Sequence, residues 1–344
     1  MSTFTSEPGA RLADRYRLED RVRATNSWAA WKAIDETLAR PVTVVTLTPD
    51  FARTAEVITA ARAASRLTDS RLAQVFDVEH GGERSYIVME WVAGDSLDDL
   101  LAAGPLDPAH GVDLVTEASR ALAGAHAAGL AHLCLTPGSL RWTPGGGVKI
   151  TGLGIDAALD GISSDDPALA DTQGLGRLLY ATLTGHWAGR QATTLPPAPL
   201  ADGQPCSPRQ VRAGVPAAID AVACEALFQR PRRARPPITT PALLAQALTE
   251  VAPAPPSVGP RPMDGLAPHQ PRADDDHDMP FPWSPGDDTA RRGQRGRPGP
   301  APGQRAVTTS AVIAIAVVVV LAAIGVGGWL LSHHSGGSAA TGQH

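Results

Sequence analysis

The sequence predicts a bilobal α+β fold: a small β-rich N-terminal lobe, a larger helical C-terminal lobe, then a disordered linker and a single transmembrane helix. Three observations carry this prediction. Short runs rich in β-branched and aromatic residues cluster before residue 92. Apolar residues recur at helical spacing from about residue 107 onward. After a stretch dominated by Pro, Gly, Asp and Arg, residues 306–332 contain no Asp, Glu, Lys or Arg at all.

Residues 1–11 show no apolar run, so no cleavable signal peptide is expected and they read as a disordered N-terminus. The globular part spans 12–250. Residues 16–22, 28–35 and 42–47 read as three successive strands, and the Ala-rich run 54–67 as a helix. Two further strands, 75–78 and 85–91, flank a turn at Gly81-Gly82. Asp107 is a good N-cap with Pro108 just behind it, which opens a helix running to Ala128. A hairpin follows, 140–142 and 148–151 around Gly145-Gly146-Gly147, and then helices at 171–183, 216–227 and 240–248.

Residues 251–305 hold few large apolar side chains and cannot bury enough surface to offset chain entropy, which predicts a disordered linker. The 24 residues 308–331 form a helix of roughly 36 Å, long enough for a hydrocarbon core of about 30 Å. Arg291, Arg292, Arg295, Arg297 and Arg305 precede this span, and residues 332–344 beyond it hold no Lys or Arg. The positive-inside rule therefore predicts a single-pass cell-membrane protein with a cytoplasmic N-terminal domain and a short extracytoplasmic tail. The same arginines either touch anionic headgroups or only set topology. The histidines of the tail (His333, His334, His344) read as part of a mobile tail, and no metal site is expected.

The net charge of -5 gives no electrostatic case for nucleic acid. The cysteines Cys134, Cys206 and Cys224 are few and scattered, which fits a reducing compartment and neither a disulfide framework nor a metal site.

Several phrases fall in a telling order. Pro41 to Leu47 is a β-branched strand. Val88-Met89-Glu90-Trp91-Val92-Ala93-Gly94 leads to Ser96-Leu97. Ala125 to His132 runs into His132-Leu133-Cys134-Leu135-Thr136-Pro137-Gly138-Ser139, then Gly152-Leu153-Gly154, then a helical run from Asp171 to Gly185. Over 12–250 this resembles the bacterial Ser/Thr protein kinase family: the V-A-I-K strand, the hinge, the H-R-D-L-K-P-x-N loop, the D-F-G phrase and the central helix of the large lobe. Cys206 to Pro216 and Arg230 to Pro236 resemble more narrowly the kinase-like cytoplasmic domain of actinobacterial MviN-type peptidoglycan-precursor flippases and its stand-alone relatives.

The resemblance implies a set of functional slots, and most are occupied by other residue types. The three phosphate-loop glycines fall on Arg23, Thr25 and Trp28, the strand lysine on Val45 and its glutamate partner on Ala60. The catalytic aspartate falls on Cys134, the lysine after it on Thr136, the metal-binding asparagine on Ser139 and the metal-binding aspartate on Gly152. The alanine above adenine is Thr43 and the leucine below it is Arg141. His132 and Asp171 are retained, with the structural roles the family gives them. From Gly154 to Asp171 there are 17 residues and no A-P-E phrase, so the activation segment and peptide platform look deleted.

Phosphoryl transfer is mostly positioning and electrostatics. These replacements therefore lead to the expectation of a protein that is not an enzyme, without cofactor or metal and with little affinity for ATP. It would be a membrane-anchored pseudokinase acting as a phosphorylation-regulated scaffold in peptidoglycan synthesis. The resemblance implies partners: a protein with a forkhead-associated (FHA) domain, which reads phosphothreonine, and a precursor flippase. Thr289 in the linker is the candidate phosphosite, read either as modified or as an ordinary linker threonine. Two other readings stand beside it: a degenerate transmembrane Ser/Thr kinase with residual ATP binding or activity, and a signalling partner that senses a membrane protein through its helix.

Overall fold

The computed structural model describes residues 7–81, 85–229 and 237–252. The predicted linker beyond residue 252, the predicted transmembrane helix, the tail and Thr289 lie outside the described residues. Among the described residues, no helix is long and apolar enough to cross a membrane.

The small lobe opens with strands β1 (Arg11–Leu12), β2 (Tyr16–Ala24), β3 (Trp28–Asp35) and β4 (Arg40–Leu47). Helix α1 (Thr54–Ala64) follows, then β5 (Val75–Glu79) and β6 (Ser85–Glu90). These strands form one antiparallel sheet in the order β1-β2-β3-β4-β6-β5. Both faces are covered, as the period of two in β4 and β6 requires. Val42, Val44, Tyr86 and Val88 pack with Tyr16, Leu18 and Trp31 on one face. Val45, Leu47, Ile87 and Met89 pack with α1 on the other. β1 brings Arg11 into the sheet, one residue inside the stretch read as an N-terminal tail.

After β6 come β7 (Asp95–Ser96), α2 (Leu97–Leu101) and α3 (Pro108–Ala127). The Asp107 carboxylate caps α3, accepting from the Ala109 N–H at 2.9 Å. The His132–Ser139 loop ends in a single 3₁₀ turn and leads into β8 (Leu140–Trp142) and β9 (Val148–Ile150), which form a three-stranded sheet with β7. Then follow α4 (Ile155–Asp160), α5 (Pro167–Thr184), the hairpin β10 (Leu200–Ala201) and β11 (Gln204–Pro205), α6 (Pro208–Val211), α7 (Ala217–Phe228) and α8 (Pro241–Val251). α3, α5, α7 and α8 pack around one apolar core that reaches under β8 and β9.

Two differences from the sequence reading bear on the site. α5 begins at Pro167 rather than 171, because Asp166 caps it through the Leu169 N–H (3.0 Å) and Pro167 takes the first position, a start signal the reading passed over. α4 was not anticipated. It is six residues long and has no capping side chain; its N-cap is Gly154 in the left-handed region, so propensity and capping rules give it little signal.

Candidate nucleotide groove

A cavity of about 200 Å³ lies between the two sheets, several times the roughly 30 Å³ a water molecule occupies in the liquid. Its walls include the slots named above: Arg23, Trp28, Thr43 and Val45 from the small lobe, Arg141 and Gly152 from below. Cys134, Thr136 and Ser139 belong to the loop beside it, and Ala60 lies on α1 against the sheet core.

The loop is anchored from behind. The Asp171 carboxylate on α5 is 1% exposed and accepts three hydrogen bonds: from the backbone N–H of His132 (2.7 Å), the backbone N–H of Leu133 (2.6 Å) and the His126 ring Nε2 (2.7 Å). Leu133 needs that hold, since it sits at φ +65°. A non-glycine residue there costs on the order of 1–2 kcal/mol. His132 is fully buried and its Nε2 donates to the Thr151 carbonyl at 2.9 Å, which leaves Nδ1 facing the Cys134 sulfur at 3.8 Å. Burial pushes the Cys134 thiol well above the ordinary thiol range, and Asp156, Asp160 and Asp171 add to it, so the sulfur stays protonated and is a poor nucleophile. The Ser139 hydroxyl is turned inward, donating to the Thr136 carbonyl (2.7 Å) and accepting from the Thr136 N–H (3.0 Å).

The front of the groove is built differently. Trp28 is only 5% exposed and its ring packs into the sheet–helix core where a glycine would leave space. The Arg23 guanidinium lies 4.7 Å from the centre of that ring and pairs with Asp160 at 3.0 Å. The Thr43 hydroxyl donates to the Glu90 carbonyl (3.4 Å), and an Arg141 nitrogen donates to the Gly94 carbonyl (3.1 Å). Both polar side chains in the purine slot are thus tied to backbone.

Two groups in this groove escaped the sequence reading. Arg23 was counted only as a lost glycine, yet it puts a cation on the cavity wall. Asp156 was not singled out, and it lines the cavity from the first turn of α4. A Cβ placed on Gly152 would lie 2.3 Å from Asp156 Oδ2 and 2.5 Å from its Cγ. The carboxylate of residue 156 therefore fills the volume that a side chain on residue 152 would occupy. Burial raises its carboxyl above the usual carboxylate range, with His132 and Arg23 opposing that shift. An aspartate four residues beyond a glycine that follows a strand was the only signal available.

No family model matches the chain. It is similar to the serine/threonine-protein kinase PknA of Mycobacterium tuberculosis, 32% identical over 278 residues, which cover 65% of this chain and 64% of PknA. It is also similar to PknL of the same species, 28% identical over 204 residues, covering 52% of this chain and 51% of PknL. The chain thus spans less than two thirds of the length of either relative. Among solved structures, the kinase domain of Mycobacterium tuberculosis PknI matches with a TM-score of 0.54 at 20% identity, covering 72% of this chain and 99% of that domain.

These relatives correct one expectation. The chain was expected not to be an enzyme, on the replaced catalytic slots; PknA and PknL are named as serine/threonine-protein kinases and the PknI structure as a kinase domain, which points to a kinase. A slot tied to one sequence position misses a carboxylate that reaches the same space from another, as that of Asp156 does beside Gly152. The fold is that of a protein kinase domain, and the chain is protein-kinase-like, similar in sequence to bacterial Ser/Thr kinases.

Proposed function

We propose that the protein is a degenerate transmembrane Ser/Thr protein kinase that keeps an adenine-nucleotide groove and residual phosphoryl transfer. The observation that carries this reading is the inter-lobe cavity, which retains a cation (Arg23) and a carboxylate (Asp156) on its walls. Similarity to PknA and PknL supports it. In the reaction the γ-phosphorus of ATP bonds to a Ser or Thr hydroxyl oxygen, the β–γ bridging P–O bond breaks, and ADP leaves. In this reading Arg23 faces the phosphates and Asp156 a cation; a divalent ion, when bound, would offset phosphate charge. The proposal includes membrane anchoring through 308–331 with residues 12–250 on the cytoplasmic side, on the apolar run and the arginines before it.

A second role, recruitment of partners, is favoured by the short connection 161–166 between α4 and α5, which leaves little chain for holding a substrate peptide. In that role an FHA-domain protein would read phosphorylated Thr289, and a peptidoglycan-precursor flippase would lie beside the membrane helix.

The test is the full chain in detergent micelles, incubated with γ-labelled ATP and Mg²⁺. Label on Ser or Thr, together with a rise in Tm on adding ATP, is the expected result. Failure of both label and thermal shift would overturn the kinase reading, and a shift without label would retain the groove and remove transfer.

A further inference from the structure

We infer that Asp156 is the residue that holds the divalent cation accompanying a nucleotide in this groove, a place the family gives to position 152; this rests on the nucleotide reading above and deepens it. The first support is volume. A Cβ on Gly152 would meet three atoms of the Asp156 carboxyl group at 2.3, 2.5 and 2.9 Å, so the two side chains cannot coexist, and the carboxylate of one stands where the other would be. Gly152 itself has φ +77°, a conformation that favours a residue without Cβ.

The second support is the state of the carboxylate. Among the described residues no hydrogen bond to it is made, although it faces the cavity. Arg23, which also lines the cavity, is committed to both oxygens of Asp160 at 3.0 and 3.3 Å. Two fully buried acids contrast with Asp156: Asp171 has three donors, and Asp35 takes both Nε and Nη2 of Arg15 at 2.9 Å. A partly exposed carboxylate that lines a cavity and accepts no hydrogen bond is free to serve as an oxygen ligand to a cation.

The third support is rigidity. Ile155 and Leu159 anchor α4 in the small-lobe core. Arg53, just before α1, donates to the carbonyls of Ala158 (3.0 Å) and Leu159 (2.5 Å) at the far end of the helix. Asp156 is thus held against the cavity and does not ride on a free loop.

The donor set also limits the claim. Among the described residues no three His, Cys, Asp or Glu side chains come together as a metal cage. A hard cation such as Mg²⁺ is satisfied by one or two carboxylates when phosphate oxygens and water complete its shell. The cation should therefore bind with the nucleotide, not alone.

The experiment is calorimetric titration of the full chain in detergent with a non-hydrolysable ATP analogue, in EDTA and in Mg²⁺. Mg²⁺ should tighten binding by roughly tenfold or more, since even residues behind metal ligands matter that much. Asp156→Asn should remove that gain, and Asp165→Asn, on the exposed connection to α5, should keep it. The double variant Gly152→Asp, Asp156→Ala should restore it, which also covers the case in which Asp156→Asn folds poorly. Equal affinity with and without Mg²⁺ in the unmodified chain, or a gain that survives Asp156→Asn, would overturn the inference and leave nucleotide binding standing. No binding of the analogue in either condition would remove both.

Discussion

Behind the His132–Ser139 loop and in front of it, the same stretch of chain meets two aspartates that are treated in opposite ways. Asp171, behind, is surrounded by donors and almost fully sealed from solvent. Asp156, in front, lines a cavity and receives no hydrogen bond from the described residues. The difference separates an anchoring carboxylate from the one assigned above to a cation. Asp171 binds backbone N–H groups whose positions are set by the loop's own turn, so its place in the chain cannot drift without losing the loop. Asp156 offers charge to a volume of space, and any backbone position that delivers an oxygen there will serve.

The largest test of this contrast is Asp171→Ala. It leaves two buried backbone donors and a histidine ring without an acceptor and frees Leu133 from its left-handed conformation, so a loss on the order of 3 kcal/mol is expected in urea unfolding. A loss equal to that of Asp156→Ala would erase the distinction between anchor and ligand group. A smaller effect sharpens it from the other side. Gly152→Ala should cost about 2 kcal/mol, from the positive φ and from overlap with the Asp156 carboxylate. In an Asp156→Ala background only the φ part should remain, and additive losses would show that the two side chains do not compete for one space.

The smallest effect concerns a third acid, in the small lobe. Asp35 is fully buried and its carboxyl is held below the usual range, first by the Arg15 hydrogen bond and then, against desolvation, by the N–H of Leu38. A group whose folded pKa is depressed stabilises the fold above its unfolded pKa, here about 4, and loses that contribution as pH falls through the folded value. Urea midpoints should fall between pH 5 and pH 3, and Asp35→Asn should flatten that dependence. An unchanged slope would separate Asp35 from the anchoring class that Asp171 defines.

Much of the scaffold was legible because its signals are local. The β-branched run 42–47, the Asp107-Pro108 start and the triple glycine of the hairpin each act within a few residues. The strand β2 runs to Ala24, past the expected end at 22, and α1 stops at Ala64, short of 67, as terminal positions often do. α2 escaped notice although Ser96 and Asp99 form a reciprocal cap, with the Asp99 carboxylate accepting from the Ser96 N–H at 2.9 Å; the sequence signature usually carries Glu or Gln at that third position. The slots of the groove were legible from phrase order. What replaced them was not, because the exchange between 152 and 156 depends on a six-residue helix whose stability comes from packing against α1 and from Arg53, both distant in the chain.

The indole of Trp28 gives the groove a built-in optical signal. It stands on the cavity wall beside a guanidinium, and Trp91 also lines the cavity, so an occupant will change the polarity around two of the chain's seven emitters. Emission from the unlabelled protein will therefore report entry of a molecule into the cleft directly, and replacing Trp28 with phenylalanine will dim that response without removing the ring that closes the ceiling.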